Sequence, residues 1–181
     1  MVRESWLGTG LPFGIRFIAH PRKASCVNLV PNRGWGATLK AATNLYSSAT
    51  DGDTLVRFVH DDILATGDYF RTVGYPRMDL VNGGSLKGLI DGLALTISVA
   101  DANTKIVPGH GPLADRSAIM AQRDMLLTIR QRVAAFIAEG KTIDEIIAAR
   151  PTADYDAKVP EGAQGSDAFL KSLYSELRAN P

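Results

Sequence analysis

The sequence predicts a layered α/β (α+β) domain, and three observations carry that prediction. Short alternating or apolar runs at residues 14–20, 54–60, 63–66 and 104–107 end at glycine, proline or aspartate, as strands do before turns. Four other segments, 85–101, 115–139, 142–151 and 166–177, repeat apolar residues at helical spacing. The balance of 45% hydrophobic and 22% charged residues in a chain of 181 is that of one domain with its own core. No internal repeat or low-complexity run interrupts this order, and strands leading into helices imply layers packed on one another.

Taken in order, residues 1–14 are glycine-rich and show neither period. Gly14-Ile15-Arg16-Phe17-Ile18-Ala19-His20 reads as a strand closed by Pro21, which cannot donate to a ladder. Residues 22–49 are weakly patterned, with only 37–46 suited to a short helix or strand, so 1–49 is expected to be an irregular leader and 50–181 the main body. Thr50-Asp51-Gly52-Asp53 is a turn, with Asp51 and Asp53 bonding their own backbone. The strand 54–60 then turns at Asp61-Asp62 into Ile63-Leu64-Ala65-Thr66, a β-hairpin that leaves His60 at its surface tip.

Past Phe70 a loop runs through Gly74-Tyr75-Pro76-Arg77-Met78-Asp79 to Asn82-Gly83-Gly84-Ser85. Ser85 caps a helix with Leu86, Leu89, Ile90, Leu93 and Ile97 on one face. Gly83-Gly84 is a tight connection into that helix or, alternatively, a set of free amides facing an anion. The strand 104–107 stops at Pro108. Asp115 or Ser117 caps the longest helix, which ends before Gly140. Thr142-Ile143-Asp144-Glu145 has the pattern of a capping box, and Pro151 marks the end of its helix. A polar linker over 151–165 precedes a final amphipathic helix that docks through Phe169, Leu170, Leu173 and Tyr174.

A formal net charge of +1 gives no long-range field to attract nucleic acid. Cys26 is the single cysteine, so neither an internal disulfide nor a thiolate zinc site is expected. The first residues lack the basic start and unbroken apolar run of a signal peptide, and no apolar stretch is long enough for a membrane helix. A cytoplasmic location without membrane contact is the expectation. No glycine-rich phosphate loop follows a strand, which excludes a doubly wound nucleotide fold.

Candidate chemistry lies in residues 62–112. Two short strands each run into a glycine turn, and the first metal-binding side chains beyond are Asp68 and His110. A carboxylate oxygen and an imidazole delivered by the same device form half of a metal site. Tyr75 and Asp79 lie in the flanking loop, as substrate contacts or as turn residues.

Thr66-Gly67-Asp68, Tyr75-Pro76-Arg77-Met78-Asp79, Asn82-Gly83-Gly84-Ser85 and Ile106-Val107-Pro108-Gly109-His110-Gly111-Pro112, followed by a long helix and the short Thr142 helix, resemble the carboxy-terminal half of metallo-β-lactamase-fold hydrolases. The resemblance covers roughly residues 50–178, with a fainter likeness at Ile18-Ala19-His20-Pro21. It implies a partial αββα sandwich, one or two zinc ions at a sheet edge, and metal-activated water acting on a small-molecule ester, amide, thioester or lactam. By the same resemblance Asp68 is the aspartate that bridges two zinc ions, and His110 is the last histidine ligand of the second. The family's His-x-His-x-Asp-His run is absent, and Ala49 stands where a further ligand histidine precedes the Thr-Asp-Gly-Asp turn. His20 and His60 match no ligand position. The expectation is a zinc-dependent hydrolase that is truncated or degenerate, with an impaired metal site. The alternative is a catalytically inactive half-domain acting through self-association or a partner chain, with a homo-oligomer formed through an exposed sheet face.

Overall fold

The computed structural model describes residues 26–27, 39–45, 50, 52–58, 61–157, 159 and 165–179. The strand expected at 14–20, together with His20, Ala49, Asp51 and His60, lies outside them. Strands β1 (Cys26–Val27), β2 (Leu39–Leu45), β3 (Asp53–Phe58), β4 (Ile63–Arg71) and β5 (Lys105–His110) form a five-stranded sheet in sequence order. The first four pair antiparallel, and β5 is added parallel to β4. The sheet therefore takes strands from both 1–49 and 50–181.

The parallel pair needs a crossover, which α1 (Leu86–Val99) supplies. Helices α2 (Arg116–Ala138), α3 (Ile143–Ala148), α4 (Ala153–Asp156) and α5 (Ser166–Ala179) follow. Strand alternation sets the layers. Leu55, Leu64 and Ile106 are buried in one cluster with Leu89 and Leu93 of α1, Ile119, Leu126, Ile129 and Val133 of α2, and Phe169 and Leu173 of α5. Val56, Ile63, Ala65 and Val107 occupy the alternate positions, and none belongs to that cluster. The register aligns them across the sheet, Val56 with Ala65 and Ala65 with Val107.

Local chemistry sets the helix starts. The Ser85 hydroxyl accepts from Gly88 N, Asp115 accepts from Ala118 N, and Thr142 with Glu145 closes the capping box. Glu176 of α5 reaches back to accept from Leu86 N at 2.7 Å, which fills a free amide at the start of α1. At the Gly83-Gly84 connection, Gly84 N donates to the Asp79 carbonyl, and two of the amides that start α1, Leu86 N and Gly88 N, are taken by Glu176 and Ser85.

Three boundaries differ from expectation. β4 does not stop at Thr66 but runs on to Arg71, with irregular register around Gly67, because β5 supplies a partner along that length. β5 continues through Pro108 to His110; it is the edge strand, where a missing N–H is tolerated. The segment read as a linker after Pro151 contains α4, which is fixed by tertiary contacts. The Tyr75 hydroxyl donates to Asp156 Oδ1 at 2.7 Å and lies 3.3 Å from the Thr152 carbonyl, while Arg132 holds the Pro151 carbonyl and Asp154. Burial works to push the Asp156 carboxyl up, but hydrogen bonds from Tyr75, Arg150 and Thr152 outweigh it and hold the group below its ordinary range. Among the described residues no helix is long and apolar enough to cross a membrane.

Candidate metal centre

Asp68, inside β4, and His110, the last residue of β5, are brought together toward the carboxyl ends of the two parallel strands. The register sets Gly67 beside Pro108 and Arg71 beside His110. Gly67 takes a positive φ of 61°, a conformation that glycine adopts without strain, and so turns the chain just before Asp68. Gly109 permits the close approach: a Cβ there would collide with Asp68 Oδ1 and lie 2.7 Å from both the Gly67 carbonyl carbon and its oxygen. The outcome is His110 Nε2 at 3.4 Å from Asp68 Oδ1, with both side chains more than half exposed at 53% and 62%.

The turn after β5 is tied to β4 by a residue that carries no motif. Thr72 donates its backbone N–H to the His110 carbonyl at 3.0 Å, and its hydroxyl lies 3.1 Å from the Pro112 carbonyl and 3.4 Å from that of His110. Thr66 braces the same pair one turn earlier, its hydroxyl 3.2 Å from the Val107 carbonyl. Nothing in the sequence marks Thr72, since a threonine after a strand is ordinary.

The other two sequence candidates sit differently. Tyr75 is 1% exposed, its ring stacks on Phe169 at 5.6 Å, and its hydroxyl is engaged with α4. Burial first, and then the neighbouring Asp156, push that phenol above its ordinary range. Asp79 lies in the surface loop, but its carboxylate accepts from the side chain and the backbone N–H of Asn82 at 2.7 and 3.2 Å. Those bonds, the side-chain one foremost, lower its pKa, and they commit the group to its own turn over Leu80–Asn82. Among the described residues no hydrogen bond or ion pair joins Tyr75 or Asp79 to Asp68 or His110.

The pair has the right donor chemistry for a divalent ion but not the number. A catalytic zinc is held by about three protein ligands, and no group of three His, Cys, Asp or Glu side chains able to hold a metal occurs among the described residues. These residues alone do not fit a complete centre.

No family model matches the chain, and no curated protein matches its sequence. Solved structures do resemble it. A double mutant of the sec-alkylsulfatase PisA1 superposes with a TM-score of 0.65 at 15% identity, over 91% of this chain and 26% of that one. The stereoselective inverting sec-alkylsulfatase Pisa1 from Pseudomonas sp. gives 0.61 at 16% identity, over 87% and 26%. The DIM-1 metallo-β-lactamase aligns over 49% of this chain and 41% of its own, with 15% identity and a TM-score of 0.42. This chain spans about a quarter of the length of the sulfatase structures. The fold is thus a partial metallo-β-lactamase-type domain, matching part of the sulfatase structures.

Proposed function

We propose that the chain is a zinc-dependent hydrolase of the metallo-β-lactamase superfamily by descent, carrying an incomplete form of the centre. Asp68 and His110 are two of its ligands. The observation that carries this reading is the convergence of a carboxylate and an imidazole at 3.4 Å toward the carboxyl ends of adjacent parallel strands. Open α/β sheets bind their ligands at such ends. The substrate in this reading is a small molecule bearing a hydrolysable ester-type or amide-type bond.

Zinc titration followed by calorimetry tests it. Complete zinc sites gain about 10–16 kcal/mol, so half a donor set, at about 5–8 kcal/mol, should bind with a dissociation constant of roughly 1–200 µM. Asp68→Ala and His110→Ala should each abolish that binding. Uptake unchanged in both variants, or none up to millimolar zinc, overturns the ligand assignment. Nanomolar affinity overturns the incompleteness.

A second reading, self-association of a half-domain, is favoured by the outer sheet face. Val56, Ile63, Ala65 and Val107 form an aliphatic row outside the core cluster, with Val107 37% exposed. Two such faces can pack about 10 Å apart, as sheets do in a sandwich. Analytical ultracentrifugation should then show a dimer at tens of micromolar protein that Ala65→Arg converts to monomer. A wild-type monomer at the highest concentration reached rejects it.

A further inference from the structure

We infer that Thr72 is a positioning residue for His110, acting as a latch that holds the turn after β5 against the end of β4; this rests on the reading of Asp68 and His110 as a ligand pair. Three contacts converge on one residue. Its N–H fixes the His110 carbonyl at 3.0 Å, and its hydroxyl lies within reach of the carbonyls of both His110 and Pro112. The N–H bond belongs to any residue at this position, but the hydroxyl contacts need serine or threonine.

The turn is shaped to receive that hydroxyl. Gly111 has a positive φ of 98°, and a Cβ on it would collide with Thr72 Oγ1 and lie 3.1 Å from Val73 Cγ1. Residues 110–112 thus fold around the Thr72 side chain, with the histidine carbonyl on one side of it and the proline carbonyl on the other. Fixing the carbonyls at 110 and 112 fixes the peptide planes 110–111 and 112–113, which bracket Gly111, the residue with the freest backbone in the turn, and Pro112. The Cα–Cβ direction of His110 follows, and so does the 3.4 Å approach of its imidazole to Asp68. Thr72 touches neither Asp68 nor the imidazole among the hydrogen bonds of the described residues, so it acts only through the backbone.

The test compares Thr72→Val, which keeps size and branching, with Thr72→Ser, which keeps the hydroxyl, on the full chain. Two readouts are used. Without metal, the nuclear Overhauser contact between the His110 ring and the Asp68 Cβ protons should persist in wild type and Thr72→Ser and weaken at least threefold in Thr72→Val. With cobalt as a spectroscopic probe, Thr72→Val should weaken binding about fivefold to tenfold and Thr72→Ser less than twofold, while thermal melts of the metal-free variants stay close to wild type. A Thr72→Val protein that keeps both the ring contact and the cobalt affinity overturns the latch, as does a Thr72→Ser protein that behaves like Thr72→Val. Failure of wild type to bind cobalt counts against the ligand reading, and the metal-free contact still decides the latch.

Discussion

Gly109→Ala is expected to destabilise the domain by about 3 kcal/mol, the upper end of overpacking effects, and to separate Asp68 from His110. A new methyl group meets three atoms at once. The Asp68 carboxylate can swing aside, since it is mostly exposed, and by itself would cost little. The Gly67 carbonyl carbon and oxygen at 2.7 Å cannot, because Gly67 is registered against Pro108 in the parallel ladder. Relief requires β4 and β5 to move apart at their carboxyl ends. Urea denaturation should show a lower midpoint with an unchanged slope. A loss below about 1 kcal/mol would mean that the strands yield there without strain.

Phe169→Ala is expected to cost more, about 4 kcal/mol by the usual loss for a buried phenylalanine with its cavity. Phe169 is 1% exposed and stacks on Tyr75 with ring planes 16° apart. Removing it frees the Tyr75 ring, whose hydroxyl is what ties the loop after β4 to α4. It also loosens α5, which carries Glu176 to the first amide of α1. Amide hydrogen exchange should therefore speed up in α5 and at Leu86 together. Faster exchange confined to α5 would show that the two attachments are independent.

What the sequence revealed of the fold was its local chemistry. Ser85 and the Thr142–Glu145 box are readable as caps because a cap needs only residues within one turn, and for α2 the sequence narrows the cap to Asp115 or Ser117, of which Asp115 is used. The hairpin of β3 and β4 was readable for the same reason. The full length of β4 was not, because what extends it through Gly67 and Asp68 is a parallel partner beyond the α1 crossover. Nor was α4, a four-residue helix anchored by a tyrosine hydroxyl from the other end of the domain. The same distance explains Tyr75: in a glycine-containing loop it reads as a substrate contact or an exposed turn residue, whereas stacking on Phe169, far along the chain, buries it. At the site, the glycines before Asp68 and His110 mark the two residues in the sequence, but both glycines lie inside strands, Gly67 in β4 and Gly109 in β5, and not in turns that end them. Thr72 carries no such mark, because its part depends on which carbonyls a neighbouring strand presents.

The fold-back after β5 bears on how this protein avoids aggregating. An edge strand offers unpaired N–H and C=O groups on which another chain can grow. Here Ile106 spends both of its outward groups on Ala114, at 2.9 Å each, and Pro108 has no N–H to offer. The strand that carries His110 to the surface is thus closed along its middle to templated growth, with the exposed Lys105 at its start adding a charge on the same edge.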